Sequence, residues 1–272
     1  MTTGMTERAF TLALALVALT LALAKAQAQE VPVDLELVLA VDVSRSMDAA
    51  EQALQRQGYV DAFRHPDVIQ ALSSGPNGKI AATYVEWSSP GFRSVVVPWM
   101  ELATPLDAER FASTLDQAPI ARDRETSISS GLYIAAGQFD GNGFIGVRQA
   151  IDISGDGPNN AGFPVEAARD QLVNRGITIN GLPIMLNRVS DLDGYSLPNL
   201  DAYYQDCVIG GPGAFLITVD HETNLELAIR RKLVLEISGL PPRVIPVASV
   251  LSGGPTMDCL VGEKAARSAV QP

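Results

Sequence analysis

Apolar residues fall along this chain in two rhythms, and each predicts its own kind of element. The runs Leu35 to Val41, Arg148 to Ser154 and Ile177 to Leu182 have the length and branched composition of strands buried on both faces, as at the centre of a parallel sheet. Lys79 to Ser88 and Arg93 to Trp99 are two more strands, joined by Ser89-Pro90-Gly91, a link so short that the pair must form an antiparallel hairpin. Ala214 to Val219 reads as the last strand. Helical spacing lies between these runs. It places Met47, Leu54, Tyr59 and Phe63 on one apolar face, breaks at His65-Pro66 because the residue before proline avoids the helical region, and resumes through Ile69 and Leu72. Further helices are predicted over Leu106 to Leu115, Ser129 to Phe139, Pro164 to Asn174 with Gly176 as its stop, and Glu222 to Ile237 with Asp220 as its cap. Strands alternating with helices after the hairpin predict an α/β fold, with a doubly wound, mostly parallel central sheet and one antiparallel edge strand.

Both ends of the chain depart from this pattern. Arg8 precedes the apolar run Ala9 to Ala24, and Ala26-Gln27-Ala28 supplies the small residues that a signal peptidase reads, so residues 1–28 are expected to be a secretory signal. The body is expected over residues 29–238. Residues 239–272, rich in Pro, Gly and Val, form a C-terminal extension. The two cysteines, Cys207 and Cys259, are an even pair in an exported chain, so a disulfide tying the extension back is expected. The formal charge is −11. It becomes −12 without residues 1–28, whose Glu7, Arg8 and Lys25 sum to +1, and this excess argues against nucleic acid or anionic lipid as a partner.

Polar residues at the ends of two predicted strands carry the candidate chemistry. Asp42, Ser44 and Ser46 put a carboxylate and two hydroxyls on alternate residues of a turning loop, so that their oxygens can converge. Such hard, weakly charged donors suit Mg²⁺; capping of the following helix by Ser44 or Ser46 is the structural alternative. Thr126 stands just ahead of a predicted helix, and Asp156 follows the strand in QAIDISGDGPNN. This set, Asp-x-Ser-x-Ser, a loop Thr and a strand-end Asp, resembles the metal ion-dependent adhesion site of von Willebrand factor A domains. The resemblance implies a metal held by Asp42, Ser44, Ser46, Thr126 and Asp156, the hydroxyls binding directly and the carboxylates partly through water. It also implies a Rossmann-type sheet in which the strands ending at Asp42 and Asp156 lie side by side. The phrases ISGDGPNN, YYQDCVIGGPGAF and AIRRKLVLEI resemble a secreted bacterial family called domain of unknown function 1194, over most of Val33 to Ser238. That likeness brings a fold without an activity.

Other polar features read as structural. His65 ends a helix, Asp140-Gly141-Asn142-Gly143 is a turn lacking the later glutamate of a calcium loop, and Asp191, Asp193 and Asp201 are solvated loop residues. Gly210-Gly211-Pro212-Gly213 lacks the spacing of a dinucleotide site, and Trp87 and Trp99 are packing residues. A phosphate-ester hydrolase using Mg²⁺ is the alternative function, but Ser44 stands where such enzymes need a second Asp. His221 lies on the same rim as the candidate site, without a GxSxG elbow to serve. The expectation is a periplasmic or secreted protein-binding module, not an enzyme, that engages an Asp or Glu of another protein through Mg²⁺, Mn²⁺ or Ca²⁺.

Overall fold

The computed structural model of the chain describes residues 30–186, 197–220, 224–239 and 257–270. From Pro32 onward the described residues form one compact unit. The expected export signal, Asp191, Asp193 and His221 lie outside the described residues.

Five strands form one sheet: β1 (Val31–Asp42), β2 (Ile80–Trp87), β3 (Arg93–Leu102), β4 (Phe144–Gly155) and β5 (Thr178–Pro183), in the order β3-β2-β1-β4-β5. β1 and β2 are parallel, with Glu36 opposite Ala81 and Asp42 opposite Trp87, and β4 and β5 are parallel from Ala150–Thr178 to Gly155–Pro183. β3 is the antiparallel edge strand; its register slips twice near Thr83, across from the segment that contains Pro98. The α/β class and the mixed sheet are those expected.

Among the described residues, seven helices join or flank the strands, α1 (Ala49–Arg64), α2 (Pro66–Leu72), α3 (Pro105–Gln117), α4 (Ile128–Gly137), α5 (Val165–Asn174), α6 (Leu200–Tyr203) and α7 (Leu225–Ser238), and α8 (Val261–Val270) follows. A π-helical turn, Tyr204–Val208, continues α6. Alternation along β1 divides the core in two. Leu35, Leu37, Leu39 and Val41 face Tyr59, Phe63, Phe111, Ile229 and Leu233, while Val38 and Ala40 join Trp87, Leu132, Ile151, Ile153 and Leu172 on the opposite side. Each Val, Leu, Ile and Phe among them contributes about 1.5–3 kcal/mol by leaving water. Both tryptophans pack as expected: Trp87 is buried against Gly131, where a Cβ would stand 2.6 Å from its ring, and Trp99 donates to the carbonyl of Gln138 at 2.8 Å.

Three expectations need correction. Leu54 is 52% exposed, and α1 instead buries Gln52, Gln55 and Arg56, because the sheet face beneath it presents polar atoms. Ala214 to Val219 is not a continuous strand. It meets β5 and its continuation through the bridges Gly181–Leu216 and Ile184–Val219, and between them Pro183 has no N–H to give the ladder. Finally, α7 starts at Leu225 behind the cap Asn224, whose side chain accepts from Leu227 N–H at 3.0 Å, rather than behind Asp220. His65 ends α1 and also caps α2, its Nδ1 accepting from Asp67 N–H at 3.2 Å.

Candidate metal centre

β1 and β4 are neighbours in the sheet, and the helices that follow them run to β2 on one side and β5 on the other. Their C-terminal ends therefore open a crevice where the chain direction divides, which is where open α/β sheets hold ligands. Asp42 is the last residue of β1 and Asp156 follows the last residue of β4. The five residues singled out in the sequence meet there. Asp42 Oδ1 accepts the Ser44 N–H at 2.7 Å, and the Ser44 and Ser46 hydroxyls lie 2.7 Å apart. Ser46 donates to Asp156 Oδ1 at 2.5 Å, and Thr126 Oγ1 donates to Ser44 Oγ at 3.2 Å. Neither serine caps α1. That role belongs to Asp48, which accepts from the N–H groups of Ala50 and Glu51 while Glu51 accepts from Asp48 N–H.

Polar side chains behind the crevice fix its loops. Gln52 donates from α1 to the Ser44 carbonyl at 3.0 Å. Arg122 donates to the Met47 carbonyl at 3.0 Å and Asp123 N–H to the Val43 carbonyl at 3.1 Å, so the loop carrying Thr126 is laid along the loop carrying the serines. Asn160 clamps Thr126 reciprocally: its Oδ1 accepts the Thr126 N–H at 3.0 Å and its N–H donates to the Thr126 carbonyl at 2.9 Å. Gln52, Asn159, Asn160 and Tyr204 had no role in the sequence reading. The Asn-Asn pair closing GDGPNN was visible, but its type and spacing match no ligand pattern.

Electrostatics oppose this arrangement in the bare protein. Asp42 is fully buried; burial, and then the charge of Asp156, hold its carboxyl well above the usual carboxylate range. Burial raises Asp156 to about 6 despite the Ser46 hydrogen bond. Burial and the same two carboxylates also push up the Tyr204 phenol. Asp42 Oδ2 is buried with no hydrogen-bond partner. An orphaned carboxylate oxygen beside a second carboxylate and three hydroxyls is what a hard divalent cation would relieve, so the donor set fits such an ion. Among the described residues no three His, Cys, Asp or Glu side chains group as a metal site. The donors here are mainly hydroxyls, which suits oxygen-preferring ions over zinc-type chemistry.

A family model described as "Protein of unknown function (DUF1194)" matches residues 32–241. No curated protein matches the sequence. Among solved structures, proximal thread matrix protein 1 from the mussel byssus superposes with a TM-score of 0.53 at 18% identity, over 76% of this chain and 47% of that one. The same protein is also solved with a zinc occupied MIDAS motif, TM-score 0.51, 14% identity, 74% and 46% covered. A von Willebrand factor type A structure from Catenulispora acidiphila gives 0.50 at 14%, over 75% and 43%. The pilus adhesin SpaC from Lactobacillus rhamnosus GG, in its open conformation, gives 0.52 at 14%, over 76% and 30%. The chain thus spans less than half the length of each of these proteins.

Proposed function

The chain belongs to the family of unknown function matched over residues 32–241 and folds as a von Willebrand factor A-like domain, and from that premise we propose that it is an exported protein-binding module that captures a partner's Asp or Glu through a divalent ion. The reading keeps the division into an export signal over 1–28, a body over 29–238 and an extension over 239–272, with periplasmic or secreted placement. Similarity to adhesion and matrix proteins supports binding as the coarse function.

The observation that carries the proposal is the hydrogen-bonded cluster of Asp42, Ser44, Ser46, Thr126 and Asp156, in which Asp42 Oδ2 is buried and unpartnered. Ser44, Ser46 and Thr126 would offer hydroxyl oxygens, and Asp42 and Asp156 the compensating charge. A bound Mg²⁺ or Mn²⁺ would supply Lewis acidity and a local positive field on an otherwise acidic chain. The residues of the chain do the rest. Gln52 and Asn160 keep the two hydroxyl loops in register, and burial of Asp42 excludes bulk water from one side of the site.

Calorimetric titration of the chelated protein with Mg²⁺ and Mn²⁺ tests this. Binding that disappears in Asp42→Ala, weakens in Thr126→Ala and is unchanged in His65→Ala is expected. Absence of binding at millimolar metal, or an unaffected Asp42→Ala, overturns the reading.

A further inference from the structure

Helix α8 lies beyond the stretch matched by the family, residues 32–241, yet it packs on the loop that leaves Asp156. A Cβ added to Gly262 would stand 2.2 Å from the carbonyl oxygen of Asn159, so only glycine permits this approach. Asn159 is wholly buried. Its Oδ1 accepts from Ser129 N–H in α4 at 3.0 Å, and its Nδ2 donates to the Phe163 carbonyl at 3.0 Å and to Glu263 Oε1 of α8 at 2.7 Å. Its N–H donates to the Tyr203 hydroxyl at 3.2 Å, and that hydroxyl donates in turn to the Cys259 carbonyl at 3.4 Å. Cys259 is bonded to Cys207. Two polar routes therefore run from the metal loop to the disulfide-anchored segment, one through Glu263 and one through Tyr203.

We propose that Asn159 is a positioning residue for the metal centre, and that the disulfide-held α8 braces it, so that metal affinity falls when Cys207–Cys259 is reduced. The proposal rests on the metal-binding reading above. Asn159 is covalently next to Asn160, which clamps Thr126, and three residues from Asp156, so movement of Asn159 displaces two of the five donors together. Ten residues are too few for α8 to persist as a helix without its packing. Once released it would leave the buried Asn159 amide short of an acceptor. The switching step balances: a dithiol reductant gives two electrons and two protons, the S–S bond breaks to two thiols, and the reductant closes to its own disulfide.

The test is calorimetric titration with Mn²⁺ of the oxidised parent, of parent reduced by a dithiol that is then removed without air, and of Glu263→Ala and Glu263→Gln. Glu263→Ala and the reduced chain should each bind about tenfold more weakly, the usual scale for losing a group that orients a metal ligand. Glu263→Gln keeps an acceptor for Asn159 and should bind like the parent. By linkage, saturating Mn²⁺ should make the disulfide harder to reduce by the factor that reduction costs in affinity, an effect a merely structural bond would not show. Parent-like binding in both Glu263→Ala and the folded, reduced chain overturns the brace. Failure of the oxidised parent to bind overturns the metal reading instead. Hydrogen exchange in chelator then judges the brace alone: amides of residues 159–161 must exchange faster in Glu263→Ala, and unchanged exchange overturns it.

Discussion

Asp42 is costly to bury and is buried all the same. Its burial and the nearby Asp156 both disfavour its charge, so the residue serves something other than the stability of the bare fold. Asp42→Asn should therefore abolish Mg²⁺ binding without lowering the melting temperature measured in chelator. A variant that melts earlier in chelator would assign Asp42 a structural role. At this scale legibility followed chemistry: Asp42, Ser44, Ser46, Thr126 and Asp156 were readable because residue type and spacing together describe converging oxygens. Gln52 and Asn159 were not, since a polar residue in a helix or loop reads as solvated unless its partner is known. Leu54, expected on the apolar face, is exposed, and its neighbour Gln55 is buried. Gln55 donates to the buried Ser154 hydroxyl at 2.9 Å, so Gln55→Ala should cost about 1–3 kcal/mol in denaturant unfolding, whereas Leu54→Glu should stay within about 0.5 kcal/mol.

Helix α7 carries a second buried polar group that the sequence disguised. Lys232, fully buried, lies 2.6 Å from Asp152 of β4 and 2.5 Å from Glu236 one turn along, and Asn180 of β5 donates to Glu236 at 2.9 Å. One cation faces two carboxylates. Burial, then the charge of Asp152, raises Glu236 to about 8, with Lys232 opposing. A raised carboxyl favours the fold fully below its ordinary value and loses that contribution as the pH climbs through the folded value. The melting temperature should accordingly fall between about pH 5 and pH 9, and Glu236→Gln should flatten that slope. A slope unchanged in the variant would locate the titration elsewhere. Lys232 and Glu236 were invisible as a pair because their i,i+4 spacing is also that of exposed helix salt bridges. The reading of Ala214 to Val219 as a strand failed differently: its own residues suit a strand, but the partner it needed contains Pro183.

For the molecule as a whole, the order of elements was largely legible because β1 and β4 are apolar enough to require cover on both faces, and the crevice between them follows from the direction of their connections. The even pair of cysteines conveyed that the C-terminal segment is tied back through Cys207–Cys259; what it could not convey was the seat of α8 on Asn159. The disulfide closes a separation of 52 residues, and on the chain-entropy model its reduction should destabilise the fold by up to about 4 kcal/mol, read as a lower denaturant midpoint. The sheet's two margins carry one further consequence. β3, on one side, contains Pro98 beside its register slips, and β5, on the other, is already covered by the 210–219 segment, with Gly181 N–H donating to the Phe215 carbonyl at 3.0 Å and Val219 N–H to the Pro183 carbonyl at 2.9 Å. A strand from a second molecule seeking to extend the sheet needs an unbroken row of donors and acceptors. Among the described residues β3 is interrupted at Pro98 and β5 is already paired, which disfavours backbone pairing between copies of this chain and hinders the route to fibres that an open sheet otherwise invites.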